Sequence, residues 1–347
     1  MPADQPRRPL THSDLSSPFP YPQRTPVTSI PPESTTTGLV IRIDARRCHV
    51  EIEGEVHLLV PRGRLFEDRR SVKNPIAVGD RVRVLLDAEA GGTIDEVLPR
   101  RNKLARSSAG EGTREQIMVA NLDQVLVVAS IAEPAFRSQM VDRIVAGAER
   151  EGLLVRIVLN KVDLEQDLTG ATTGGVLPSE HWANFYESLG YTCLRASATT
   201  GVGIEALRER LCDHLTVLCG MSGVGKSSLL NAIDPELKLR VGLVSVRGRR
   251  EGRHTTTHTS LSRLSGGGHV VDTPGVRNFG LFGLDPREVA ELFVEMRPFL
   301  GTCNFDDCSH THEPKCPIRA AVEDNAIAGS RYDAYKELLA EAKAGHL

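Results

Sequence analysis

Gly220-Met221-Ser222-Gly223-Val224-Gly225-Lys226-Ser227-Ser228 decides how this chain is read. It matches G-x-x-x-x-G-K-S, the pattern of a phosphate-binding loop. The apolar run Thr216-Val217-Leu218-Cys219 before it has the length of a buried strand, and Ser227 to Ile233 opens a helix. Glycines let the backbone turn tightly, so its N–H groups converge on phosphate oxygens at the helix N-terminus. Lys226 is then expected to reach the β- and γ-phosphates, and Ser227 to ligate Mg²⁺. A strand before and a helix after the full match outweigh a chance Gly/Ser-rich turn.

Upstream, from about residue 114, strands and helices alternate. Gln124 to Ala129 and Val155 to Leu159 read as strands buried on both faces, with Met140 to Glu149 helical between them. Thr192 to Ala196 reads as a strand and Ile204 to Leu215 as a helix. Thr259 to Leu264 and His269 to Asp272 complete a doubly wound α/β domain. Asn160-Lys161-Val162-Asp163 follows directly on a buried strand and reads N-K-x-D. The Asp163 carboxylate can accept from N1–H and the N2 amine of guanine, a donor pair that adenine lacks. Lys161 can cover the base, and Asn160 can tie two loops together. Ser197-Ala198, after the next strand, is similar to the element that meets guanine O6 through the backbone. Both guanine elements precede the phosphate loop, the reverse of the ordinary GTPase order, so the domain reads as circularly permuted.

Asp272-Thr273-Pro274-Gly275 fits a Mg²⁺-linked aspartate and a glycine at the γ-phosphate. Val276 stands where many GTPases place a water-orienting glutamine, and an aliphatic side chain cannot orient water. The first switch is sought in Arg247 to His258. Thr256 or its neighbour Thr255 is the candidate for Mg²⁺, and His254 either positions water or only contacts RNA or solvent. The candidate catalytic set is Lys226, His254 and Thr256.

Residues 38–105 differ in character. Leu39-Val40-Ile41, His49 to Ile52, Val56 to Val60, Arg81 to Leu85 and Thr93 to Leu98 are short β-rich runs between Gly-containing turns. They suggest a small antiparallel barrel, a fold that often binds RNA. Basic residues concentrate here, among them Arg62, Arg64, Arg69, Arg70, Lys73, Arg83, Arg100 and Arg101, with acidic residues nearly as common. Residues 1–37 are rich in Pro, Ser and Thr and read as a disordered arm. Near the other end, Cys303, Cys308, His310 and Cys316 form a compact Cys₃His set with His312 as an alternative ligand. Three thiolates and an imidazole suit one closed structural zinc site.

At 347 residues two or three domains are expected, and 40% apolar with 25% charged residues is a globular composition. A net charge of -3 means that any basic surface is local. Seven cysteines without a secretory signal do not suggest a disulfide framework. The longest apolar stretch, Val125 to Ala132, is too short to span a bilayer. A cytoplasmic monomer without membrane association is expected.

Together these stretches resemble the ribosome small-subunit-dependent GTPase A family of bacteria. The resemblance extends to Val78-Gly79-Asp80-Arg81-Val82, Arg100-Arg101-Asn102-Lys103-Leu104 and His254-Thr255-Thr256-Thr257. It implies an OB-fold barrel at 38–105, a permuted GTPase domain at 114–281 and a helical zinc module at 282–347. It also implies GTP hydrolysis stimulated by the small ribosomal subunit, contact with 16S rRNA and a role in late subunit maturation. The cofactors implied are one structural zinc, and magnesium with GTP.

Overall fold

Ser34-Thr35-Thr36-Thr37 begins the first strand instead of ending an arm, because β-branched threonines suit a pleated edge. The computed structural model describes residues 34–345 except 46, 67–74, 87–91, 108–114, 168–175, 240–258, 273–280 and 282. Strand β1 (Ser34–Asp44) is long enough to serve two partners. Its first half pairs with β4 (Arg81–Leu86) and its second with β2 (Arg47–Ile52), all antiparallel. β3 (Glu55–Pro61) pairs with β2, and β5 (Thr93–Val97) with β4. The expected antiparallel barrel is corrected at one seam: β3 and β5 close it in parallel, through Val60↔Thr93 and Pro61↔Ile94. Closure removes the exposed edges that an open sheet would leave. Val40, Val50, Leu59, Val82, Val84 and Ile94 alternate inward and fill the barrel.

A hairpin of β6 (Lys103–Ser107) and β7 (Glu115–Ala120) follows and lies across the expected domain boundary. Here Gly79, at φ +85, passes so close to Ala120 that a Cβ would stand 2.1 Å from its carbonyl oxygen. Asp80 is fully buried beside it. Its carboxylate accepts from Ala77 N and from Nε and Nη2 of Arg100, each at 2.7 Å. The Asn121 amide donates to Gly79 O (3.0 Å) and accepts from Arg101 N (2.9 Å). The Gly-Asp-Arg and Arg-Arg-Asn stretches are therefore the joint between barrel and hairpin.

The α/β domain comprises β8 (Gln124–Ser130), α1 (Ser138–Arg150), β9 (Leu154–Asn160), α2 (Pro178–Ser188), β10 (Thr192–Ala196), α3 (Ile204–Leu211), β11 (Leu215–Cys219), α4 (Lys226–Ile233), β12 (Ser260–Arg263) and β13 (His269–Asp272). The strand order is β10-β9-β8-β11-β13-β12, parallel except for β12. Successive side chains of β8 point to opposite faces. Val125, Val127 and Ala129 pack with α1 and α2, while Leu126 and Val128 pack with α3 and α4. β12 also meets β1 at Arg42↔Ser260, which joins barrel and domain in one sheet. The helix expected to run to Leu215 stops at Leu211. The chain turns at Asp213 (φ +57), and Leu215 starts β11 with its N–H on Asp123 Oδ2, 2.7 Å away.

The C-terminal region carries α5 (Pro317–Glu323) and α6 (Gly329–Lys343) and packs against α1. Its anchor is Arg331, only 1% exposed. The guanidinium donates from Nη1 to Asp142 of α1 (2.9 Å), and from Nε and Nη2 to Glu295 (2.6 and 3.0 Å). Tyr186 of α2 donates to the same Asp142 oxygen at 2.8 Å, and the Phe293 ring lies 4.7 Å from the guanidinium. Nearer the surface, Arg143 forks onto Glu341 and Arg297 pairs with Glu149. Removing one partner of a buried ion cluster strands the others in low dielectric. Arg331→Met is therefore expected to destabilise the fold by about 3–5 kcal/mol, read as a lower urea midpoint. An unchanged midpoint would mean that the cluster contributes nothing to holding the C-terminal helices on α1.

Candidate functional site

Because β8, β9, β10, β11 and β13 run parallel, their carboxyl ends meet at one edge of the sheet. Ser130, Asn160 and Ala196 share a row there. Open α/β sheets bind ligands outside this edge. From Cys219 the chain turns through Gly220, Met221, Ser222, Gly223, Val224 and Gly225 into α4, and Lys226, Ser227 and Ser228 form the first turn of that helix.

The end of β9 touches this loop directly. Asn160 is buried and donates from Nδ2 to Val224 O at 2.7 Å. Gly225, at φ +97, permits the approach: a Cβ there would stand 2.3 Å from Asn160 Nδ2. Lys226 Nζ donates to the carbonyls of Gly220 and Met221, each at 2.9 Å. Burial holds its ammonium below the usual lysine range, and the neighbouring Cys219 opposes that shift. A cation already stripped of water gains more from an arriving anion than a solvated one does.

Beyond Asn160, Lys161 takes φ +64 and its Nζ donates to the Glu133 carbonyl. Val162 and Asp163 open a short 3₁₀ turn. Among the described residues the partly exposed Asp163 carboxylate has no hydrogen-bond or ion-pair partner, so its acceptor oxygens remain available. Sequence reasoning missed the group that fixes this turn. Glu165 is buried, bonded by Arg195 Nη2 of β10 at 2.8 Å and by Ser179 N of α2 at 3.2 Å. The partners lie 14 and 30 residues away, beyond any local pattern. Ser197 is buried next to Ala198 and its Oγ accepts from Thr200 N (3.1 Å), closing a tight turn after β10. The backbone of Asp272 ends β13 in register with Ser260. Gly275, His254, Thr255 and Thr256 lie outside the described residues.

At the C-terminal module the ligand atoms of Cys303, Cys308, His310 and Cys316 all lie within 4.8 Å of one another. Cys303 Sγ and Cys316 Sγ are 3.9 Å apart, and each is 3.5 Å from His310 Nδ1. In a tetrahedron, bonds of about 2.3 Å to sulfur and about 2.0 Å to nitrogen separate ligand atoms by roughly 3.5–3.8 Å. The cluster can hold a metal ion. Burial, and then the neighbouring thiols, push Cys303 up to about 12, so a cation is what would keep these sulfurs as thiolates. Burial lowers His310, which favours the neutral, ligating imidazole. His312 is exposed and turned to Thr311 and Glu313, so the histidine in the cluster is His310. The backbone is braced by Tyr332 Oη on His310 O and Tyr335 Oη on Ser309 O, both 2.7 Å. Burial would raise the Glu313 carboxyl, but hydrogen bonds from Ser309, Thr311 and His312 hold it well below the usual carboxylate range.

The barrel is less cationic than its arginines suggest. Arg83 pairs with Glu96, Arg101 with Asp123 and Arg100 with Asp80. Arg62 and Arg64 share Asp95 and leave one positive charge over. They adjoin an exposed aliphatic row on β3, Val56, Leu58 and Val60. Arg69, Arg70 and Lys73 lie outside the described residues.

The family model for the RsgA GTPase matches residues 97–282. The small ribosomal subunit biogenesis GTPase RsgA of Gemmatimonas aurantiaca is 42% identical over 310 residues, covering 88% of this chain and 97% of that protein. RsgA 1 of Vibrio vulnificus is 39% identical, covering 85% of this chain and 82% of its own. Among solved structures, YjeQ from Thermotoga maritima superposes with a TM-score of 0.71 at 35% identity, over 89% of this chain and 99% of that one. YloQ, described as a circularly permuted GTPase, gives 0.67 at 28% identity, over 90% and 96%. The reversed order of guanine and phosphate elements is thus a shared architecture, and the chain belongs to the RsgA GTPase family.

Proposed function

We propose that this protein binds the small ribosomal subunit and 16S rRNA, assists late subunit maturation as a monomer in the cytoplasm, and leaves when GTP is hydrolysed. The observation that carries the nucleotide part is the Asn160 amide on the Val224 carbonyl, which joins a base-reading turn to a phosphate-binding loop. In this reading Gly220 to Ser228 hold the phosphates, with Lys226 moving from its own loop carbonyls to phosphate oxygens. The unpartnered Asp163 carboxylate reads guanine, Lys161 and Val162 flank the base, and Ser197-Ala198 close the pocket. Magnesium, held by Ser227 and Thr256 with Asp272 behind it, would neutralise phosphate charge. Gly275 meets the γ-phosphate and His254 the attacking water. The barrel and the metal-holding module are the docking surfaces on RNA. The exposed β3 row beside Arg62 and Arg64 supports the first of these.

The test is multiple-turnover GTP hydrolysis with and without purified small subunits. Turnover is expected to be slow alone and to rise with subunits; no turnover under either condition would overturn the reading. Asp163→Asn turns an acceptor into a donor facing guanine N–H groups. It is expected to weaken GTP binding about tenfold or more, since an unmet buried donor costs about 1–3 kcal/mol. An unchanged preference for GTP over ATP would remove Asp163 from that role.

The metal is assigned as one structural zinc on Cys303, Cys308, His310 and Cys316, a closed set with no open position for catalysis. Elemental analysis of purified protein is expected to find about one zinc per chain. Cys308→Ser is expected to lower that content and to destabilise the C-terminal helices, because metal binding contributes to folding. Full zinc content in the variant would exclude Cys308 as a ligand.

A further inference from the structure

We infer that Arg137 is a catalytic residue, a cation that meets the terminal phosphate as it is transferred to water. The inference rests on the proposed placement of the triphosphate on Gly220 to Ser228. It starts from a cleft of about 270 Å³ beside that loop, lined by Gly220, Met221 and Val224 on one side and by Ser130, Phe136 and Arg137 on the other. The rest of its lining is apolar and comes mainly from β8 (Val127, Val128, Ala129) and α1 (Met140, Val141, Ile144), so the cleft is a narrow crevice between that strand, that helix and the loop. Among the described residues, Arg137 is the one charged residue lining it. It is exposed, and its guanidinium forms no hydrogen bond or ion pair among the described residues. By contrast Arg143, six residues along, is committed to Glu341.

The base from which Arg137 projects is fixed. Ile131 N donates to Asn160 O at 3.0 Å, and Ser130 Oγ to Pro134 O at 2.6 Å. Lys161 Nζ reaches the Glu133 carbonyl. Phe136, its immediate neighbour, stacks on Trp182 with centroids 4.4 Å apart. The same short segment thus touches the base-reading turn and shares a crevice with the phosphate loop, so the backbone that carries the arginine need not move for its side chain to swing toward a phosphate.

The chemistry has a place for such a group. Water oxygen attacks Pγ, the Pγ–O bond to the β-phosphate breaks, and its electron pair stays on the β-phosphate oxygen. The water protons pass to the phosphate product and solvent, and nothing is oxidised or reduced. Charge spreads over three equatorial oxygens and the leaving oxygen in the transition state. Val276 offers no group to orient water, so electrostatic stabilisation carries more of the barrier. A planar guanidinium, always protonated, can bond two of these oxygens at once.

The experiment compares the full chain with Arg137→Ala and Arg137→Lys, in the presence of small subunits. The readouts are kcat and KM for GTP, affinity for GDP and a non-hydrolysable GTP analogue, and capture of GDP with aluminium fluoride. Arg137→Ala is expected to lose about 100-fold or more in kcat, on the scale of arginine groups in phosphoryl transfer. KM, both affinities and the urea midpoint should stay near wild type, while aluminium fluoride capture is lost and Arg137→Lys recovers part of kcat. Wild-type kcat with wild-type capture in Arg137→Ala would overturn the inference. So would equal losses of analogue, GDP and aluminium fluoride binding, which mark a structural role. If the unaltered chain hydrolyses no GTP with or without subunits, the proposed function itself fails, and the inference with it.

Discussion

The side-chain amide of residue 160 meets the backbone carbonyl of residue 224 only because residue 225 carries no Cβ. That contact brings the ends of two strands, β9 and β11, to within one hydrogen bond across the width of β8. The turn proposed to read the base and the loop proposed to hold the phosphates lie 64 residues apart in the chain, and the contact makes them one surface. Neighbouring groups on both sides brace it. Glu165 ties the turn to β10 and α2, and the β8–α1 segment is bonded to Asn160 and Lys161 from the other side. Preorganised groups of this kind stabilise charge without reorganising when it develops.

The same logic of close backbone approach joins the barrel to the domain. Gly79 against Ala120 brings two backbones nearer than any side chain would allow, and the buried Asp80 carboxylate then needs the full complement of donors that Arg100 and Ala77 supply. A buried carboxylate left short of donors would cost several kcal/mol. Asp123 continues the joint: it takes Arg101 from the hairpin side and Leu215 N from β11. Farther along the sheet, Glu51 of β2 pairs with His269 of β13 at 2.9 Å. Polar contacts therefore tie barrel and hairpin to both β11 and β13, and the two units are not strung on a free linker.

Much of this was legible in the sequence where backbone geometry dictates residue type. The spacing of Gly220, Gly225 and Lys226 suits a tight loop of the kind that cradles phosphate, and that of Cys303 to Cys316 brings four side chains close enough to hold a metal ion. The permuted order could be read because both guanine elements precede Gly220. What was not legible depends on long-range partners. α2 lacks a strong apolar stripe, and its place is set by Tyr186 on Asp142 and Trp182 on Phe136. The parallel β3–β5 seam, the neutralised barrel arginines and the choice of His310 over His312 each turn on which side chain faces which. The four residues Ser34 to Thr37 looked like arm by composition, and β4 gives them a partner that composition cannot show.

Helix α1 connects these levels. The residue before its first turn, Arg137, stands at the cleft of the phosphate loop, while Asp142, Arg143, Glu149 and Arg150 face the C-terminal region. Ala146, midway, is buried in the same cluster as Leu281, Phe293 and Leu338. The chain leaves β13 at Asp272 and returns to the described structure at Leu281, already seated on this helix. In an unpermuted order the strand ending at Asp272 would lead on into the α/β domain; here it leads into the module that carries Cys303, Cys308, His310 and Cys316. A 13-residue helix is about 20 Å long. Its packed side chains move as one body, because interiors at crystal density transmit displacement rather than absorb it. A shift of the C-terminal module would thus be carried along α1 to its first turn, beside Met221 and Val224, without any mobile link between them.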